Sequence, residues 1–240
     1  MTTETCRYPT CIIDTGASKV FYFFRPGASI IPHKHYYAVL DSVYKPGDVL
    51  VGGIGAHLLG ATFVGLHDID IVSDDVGCYG NCIECREKEC ACEVGGAVVR
   101  RYSWDLVFFS KGEVEQVGKY LVANKESTVI WWLNRALSFA FGKFIDIPEE
   151  QVEYWRYRAP KALAELIAMY DMWKSELRMD LMRKYAPSCC KNGYYREKAE
   201  SLPGSTLEKQ ACAYLYDHFG VSVTNCSATL RELVNTVLNL

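Results

Sequence analysis

The spacing of apolar positions changes near residue 112. Before it, apolar residues come in short runs broken by glycine, the pattern of a sheet with tight connections. After it they recur at helical spacing. Cys11 to Asp14 and Val20 to Phe24 predict two short strands around the turn Thr15-Gly16-Ala17-Ser18. His35 to Tyr44 predicts a helix stopped before Pro46-Gly47. Asp48 to Val51 predicts a strand that runs into Gly52-Gly53, and Ile54 to Gly60 predicts a helix. His67-Asp68-Ile69-Asp70-Ile71-Val72 alternates polar and apolar, as a half-buried strand does. Gly77 to Gly96 is polar and aperiodic, so it is expected to be an insertion between strands. Ala97 to Arg101 and Ser103 to Phe109 resume the strand pattern.

In the second half, Glu113 to Ala123 and Ser127 to Phe141 predict helices. Asp146-Ile147-Pro148-Glu149-Glu150 has the capping acid, early proline and first-turn acids of a helix start. That helix is expected to continue, kinked at Pro160, to Tyr185. Pro187 to Gly204 reads as a loop, and Thr206 to Phe219 and Ala228 to Leu238 as closing helices. The expected fold class is α+β (α/β). Residues 1–112 would form a small mixed sheet with a Cys-rich insertion at 77–96, and residues 113–240 a helical bundle.

Composition narrows the picture. The chain has 240 residues, half of them hydrophobic and 23% charged, enough for a sizeable core. Its 26 basic and 29 acidic side chains leave a net charge of −3, which excludes a uniformly basic nucleic-acid binder. No uncharged apolar run reaches the roughly eighteen residues of a membrane span. The opening MTTETCRYPT has no apolar block of a secretory signal, so a cytoplasmic protein is expected. There are eleven cysteines, and five crowd into Cys78, Cys82, Cys85, Cys90 and Cys92. In that setting any four of the five thiolates are expected to close a tetrahedral zinc site, with disulfides or free thiols as the alternatives.

One constellation carries chemistry. Gly52-Gly53 is followed, after fourteen residues, by Asp68-Ile69-Asp70. Aspartates two apart on a strand share a face and repel unless a cation lies between them. Hard carboxylate oxygens suit Mg²⁺ or Mn²⁺. A third acid, Asp105, lies in Ser103-Trp104-Asp105-Leu106-Val107. Three carboxylates from neighbouring strands suit a two-metal displacement at phosphorus. The glycine pair between strand and helix lets the backbone approach a phosphate.

Val51-Gly52-Gly53-Ile54-Gly55-Ala56-His57-Leu58-Leu59-Gly60 followed by Asp68-Ile69-Asp70-Ile71 resembles the signature of the DNA-polymerase-β-type nucleotidyltransferase superfamily. The flavour is that of its small bacterial and archaeal members, including toxins and abortive-infection proteins. The resemblance covers residues 48–110. It implies that Gly52 and Gly53 seat the phosphates of a nucleoside triphosphate such as ATP. Asp68 and Asp70 would bind Mg²⁺, and Asp105 would supply the third carboxylate. The implied reaction moves a nucleoside monophosphate to a hydroxyl of RNA, protein or a small molecule. Many relatives carry a basic residue between the glycines and the aspartates. Here that stretch holds only His67, so phosphate neutralisation falls to Arg100 or Arg101.

Two alternatives accompany this reading. The same fold without turnover would be a binding module that uses a zinc loop as its contact surface. Ile12-Ile13-Asp14-Thr15-Gly16-Ala17-Ser18 resembles the catalytic loop of retroviral-type aspartic proteases, with Val51 to Gly55 resembling their flap. That would imply a homodimeric protease using Asp14. Such a domain would be all-β after the loop, and this chain turns helical.

Overall fold

The computed structural model describes residues 3–7, 10–14, 19–23, 33–142, 149–189 and 194–239. They fall into two compact units, residues 1–124 and 125–240. The first unit therefore extends past residue 112.

The first unit opens with a three-stranded antiparallel sheet of β1 (Thr3–Arg7), β2 (Thr10–Asp14) and β3 (Lys19–Phe23). The predicted pair of strands is present as β2 and β3. The turn Thr15 to Ser18 and the Asp14 side chain, which carry the protease resemblance, lie outside the described residues.

After α1 (His33–Val43) comes a seven-stranded sheet. Its strands are β4 (Val49–Val51), β5 (Ile69–Val72), β6 (Asn81–Cys85), β7 (Glu89–Val94), β8 (Ala97–Tyr102), β9 (Val114–Val117) and β10 (Tyr120–Ala123). They lie in the order β6-β7-β8-β5-β4-β10-β9. At its centre β5 runs parallel to β8 and antiparallel to β4. The short helix α2 (Gly52–Leu58) follows β4 directly.

Alternation along β5 and β8 gives the central sheet two unlike faces. Ile69 and Ile71, level with Val99 and Arg101 of β8, face the core. Leu50, Ile54 and Leu66 join them there, with Tyr36, Val39, Leu40 and Val43 of α1 packed in the same cluster. Asp70, level with Arg100, faces the other way.

Arg101 is thus a cation in the core. Its Nη2 donates to the Val43 carbonyl at 2.6 Å and lies 3.1 Å from Asp48 Oδ2. Its Nη1 donates to Asp48 Oδ1 at 3.2 Å. Asp48 also accepts from the Lys45 backbone N–H at 2.9 Å, fixing the turn into β4.

Three elements expected between residues 77 and 123 differ. Glu113 to Ala123 is a β-hairpin rather than a helix. Gly118, at φ +58°, makes the turn, and β10 pairs in parallel with β4. Pairing with a strand more than sixty residues upstream overrides the local helix preference. The Cys-rich segment does not interrupt the sheet: β6 and β7 extend it at one edge. Ser103 to Phe109 does not continue β8 but opens with a 3-10 turn over Trp104–Leu106, where Ser103 accepts from the Asp105 N–H.

The second unit holds α3 (Lys125–Phe141), α4 (Glu149–Trp173), α5 (Met179–Cys189), α6 (Tyr194–Glu200), α7 (Thr206–Phe219) and α8 (Val223–Leu238). The predicted helix start at Asp146 to Pro148 lies outside the described residues. Pro160 stays inside α4, and the expected long helix breaks instead between Trp173 and Met179. There the buried Glu126 accepts from the Arg178 backbone N–H at 2.7 Å and from its Nε and Nη2, each at 3.1 Å. The predicted loop 187–204 contains α6. Ser205 caps α7 and Ser222 caps α8, and a Cys212–Cys226 disulfide joins the two helices.

Lys161 is buried beside Glu165, Nζ to Oε1 3.5 Å, and Glu165 also accepts from the Trp132 indole at 3.2 Å. Burial pushes the Lys161 ammonium down to about 8, against the attraction of Glu165.

Two predictions arise here. Arg101→Met strands Asp48 as an unpaired buried charge, and urea unfolding should register a loss of about 3–5 kcal/mol. For Lys161, the folded chain sheds its proton from pH 8 upward, whereas the unfolded chain keeps it to near 10.5. The unfolded state therefore binds more protons in that window, and stability relative to Lys161→Met should rise with pH across it. The slope is at most about 1.4 kcal/mol per pH unit. Parallel urea curves for the two proteins at pH 8 and pH 10 check this.

Candidate active site

The glycine pair and the two aspartates meet where β4 ends. Antiparallel pairing sets Val51 opposite Asp70, so Gly52 leaves the strand beside the Asp70 carboxylate. Gly52 has φ +64°, and a Cβ placed on it would lie 2.2 Å from Asp70 Oδ2. Both the backbone conformation and the space therefore require glycine. Gly53 is buried in the first turn of α2, where an added Cβ would meet the Gly65 carbonyl at 3.1 Å. The flap-like segment Val51 to Gly55 is the end of a strand and the start of a helix.

Asp70 is buried, and its Oδ1 accepts from the Tyr102 hydroxyl at 3.0 Å. Burial, then the charges of Asp70 and Asp68, push the Tyr102 phenol far above its usual value, so it stays a donor. Asp68 immediately precedes β5 and is half-buried, with its Oδ2 3.3 Å from Arg100 Nε. Arg100 Nη1 lies 3.5 Å from Glu89 Oε1 on β7. Burial works against the charge of Arg100, but Asp68, Tyr102, Asp70 and Glu89 outweigh it and hold its pKa above the usual value. Asp68 and Glu89 thus pair with one cation, which the Asp70 charge also favours.

Of the predicted residues, the structure brings Gly52, Gly53, Asp68 and Asp70 together. Asp105 is placed elsewhere: it lies on the 3-10 turn beyond the end of β8, is largely exposed, and pairs with Lys88 at 3.1 Å. Of the two arginines singled out for phosphate, Arg101 is committed to the core and Arg100 stands on the carboxylate face. Sequence reasoning missed Glu89 and Tyr102. Tyr102 had a usable signal, since it stands two positions after Arg100 in the strand AVVRRY and must share its face. Glu89 had none, because its strand was read as aperiodic.

The donor set suits a hard divalent cation. Two carboxylates lie on one face, and Asp70 Oδ2 occupies the space that a side chain at Gly52 would need.

The cysteines form a second group. The sulfurs of Cys78, Cys85, Cys90 and Cys92 all lie within 4.8 Å of one another, a donor set that suits a metal such as zinc. The structure joins them as the disulfides Cys78–Cys92 and Cys85–Cys90, and Cys82 is an exposed free thiol. Cys90 and Cys92 are level with Arg101 and Val99, on the core side of the sheet. The cluster therefore does not share a face with the carboxylates, against the expectation of a zinc loop beside them.

No helix among the described residues is long and apolar enough to cross a membrane. No family model and no curated protein matches the chain. Among solved structures, JHP933 from Helicobacter pylori has a similar fold, with a TM-score of 0.50 at 10% identity over 86% of this chain and 90% of that one. A second H. pylori structure, of a protein provisionally named a nucleotidyltransferase, gives a TM-score of 0.49 at 10% identity over 86% of this chain and 92% of the other.

Gly52→Ala should cost about 1–3 kcal/mol in urea unfolding, because the new methyl must displace Asp70 as well as hold a left-handed backbone. Gly118→Ala is the control. Its φ of +58° is similar, but nothing lies within 4 Å of the added Cβ, so its loss should be smaller.

Proposed function

We infer that the chain is a nucleotidyltransferase that moves a nucleoside monophosphate from a nucleoside triphosphate to an acceptor hydroxyl. The observation that carries this is the approach of the Gly52 backbone to the Asp70 carboxylate, with Asp68 two positions before it. That contact supports the roles implied by the sequence resemblance, because a phosphate chain lying along Gly52 and Gly53 would reach Asp70 without an intervening side chain. Asp68 and Asp70 would hold Mg²⁺ or Mn²⁺, which when bound supplies Lewis-acid stabilisation of phosphoryl oxygens.

The remaining chemistry belongs to the chain itself. The protonated Tyr102 holds Asp70 Oδ1 and so directs Oδ2 toward Gly52. Arg100 pairs with Asp68 and Glu89, and with Asp68 engaged by a metal its guanidinium would be left to meet the phosphates. Glu89, rather than Asp105, is the third acid on this face, and it bears on the site through its ion pair with Arg100.

The position of Arg100 also favours a second reading. It occupies the β8 position level with Asp70, where a further carboxylate would have served a second metal. A chain that binds a nucleotide without turning it over would look the same.

The test combines calorimetry of each common nucleoside triphosphate, with and without Mg²⁺, and pyrophosphate release in the presence of total RNA. The wild type should bind in a Mg²⁺-dependent way and release pyrophosphate. Asp70→Asn should lower turnover by about two orders of magnitude or more, the scale of losing a charge-stabilising group, while leaving the melting transition in place. Turnover retained in Asp70→Asn would overturn the mechanism. Binding without turnover, lost in Asp68→Asn/Asp70→Asn, would establish the second reading.

A further inference from the structure

The cysteine cluster carries an inference independent of the nucleotide site. Two disulfides that only stapled a hairpin would have no reason to touch each other. Here all four sulfurs lie within 4.8 Å of one another. Cys90 Sγ and Cys92 Sγ, which belong to different disulfides, are 3.6 Å apart. Zinc–sulfur bonds of about 2.3 Å in a tetrahedron set ligand sulfurs about 3.8 Å apart, close to that spacing. The fifth sulfur is separable from the set: Cys82 is exposed and touches Cys85 at 3.4 Å, outside the group of four.

The location explains the need for a cross-link. β6 is the outermost strand of its sheet and every one of its residues is exposed. No apolar face holds it down, so the sulfurs must. Cys90 and Cys92 are buried on β7, whereas Cys85 stands on exposed β6, open to solvent reagents.

We propose that Cys78, Cys85, Cys90 and Cys92 hold one zinc ion in the reduced protein, and that a peroxide releases it by closing the same sulfurs into the Cys78–Cys92 and Cys85–Cys90 disulfides. Each disulfide forms as two thiolates give two electrons to one peroxide molecule. Its O–O bond breaks and, with two protons, it leaves as two waters. Two peroxides are consumed per zinc released. The hairpin is pinned in both states, by the metal in one and by sulfur–sulfur bonds in the other.

The experiment uses the full chain, reduced and freed of metal, then titrated with Co²⁺ and Zn²⁺. The wild type and Cys82→Ser should each take up one equivalent of Co²⁺ with the intense visible bands of a tetrahedral thiolate site. Cys90→Ser should bind at least about tenfold more weakly, having lost one of four ligands. If Cys90→Ser does not fold, the wild-type cobalt spectrum and its equality with Cys82→Ser decide the ligand set. Absence of the spectrum in the wild type, or an equal loss in Cys82→Ser, overturns it. Hydrogen peroxide added to the zinc form should release the metal as peptide mapping shows the two named disulfides appearing. Zinc retained while they form, or released with other pairings, overturns the redox step. None of these readouts depends on nucleotide turnover.

Discussion

The Gly52 backbone and the Asp70 carboxylate adjoin so closely that no side chain fits between them. Holding that approach falls to the opposite face of the sheet. A one-residue slip of β5 would turn Ile69 or Ile71 toward Gly52 and Asp70 into the core. Burial of both isoleucines with Leu50, Val99 and the apolar face of α1 prevents the slip. The polar site thus takes its register from a hydrophobic layer that contributes no atom to it. Few other positions would have brought a glycine turn and a buried acid together, because Val51 must stand opposite Asp70 and Gly52 must follow at once.

Arg100 and Arg101 show what the same alternation does to charge. Adjacent in sequence, they point to opposite faces. Arg101 spends its charge on Asp48 and a helix-end carbonyl inside the core. Arg100 spends its charge on Asp68 and Glu89 at the site. The site face then holds Asp68, Asp70 and Glu89 against a single arginine among these partners, with Tyr102 kept neutral. An excess of negative charge in partly buried surroundings attracts further cations. Any anion approaching Arg100 must compete with its carboxylate partners.

Legibility in the sequence followed the range of the interactions. The caps and apolar spacing of α7 are local, and its bounds agree with the reading of Thr206 to Phe219. The Gly52–Gly53 turn and the Asp68–Asp70 alternation are local too, and the structure brings both pairs together. Elements that depend on distant partners were misread. The hairpin of β9 and β10 looks helical until β4 offers β10 an edge. The Cys-rich segment looks shapeless because β6 buries nothing, and its strands are defined by pairing with each other and with β8. Asp105 reads as a strand acid because Trp104, Leu106 and Val107 surround it with an apolar run. The Ser103 cap turns the chain into a 3-10 helix there, which no periodicity reveals.

The sulfur cluster and the carboxylate site occupy opposite faces, yet one strand serves both. Along β7, Cys90 and Cys92 point to the core side, while Glu89, Ala91 and Glu93 fall on the other. Ala91 is level with Arg100, and Glu89 is level with Tyr102. The strand that the sulfurs pin is therefore the strand that carries Glu89 to Arg100. Of the hairpin, β6 buries nothing, whereas β7 buries Cys90, Ala91 and Cys92 and sets Glu89 3.5 Å from Arg100. Any effect of the cysteines on that face therefore runs through the β7–β8 ladder.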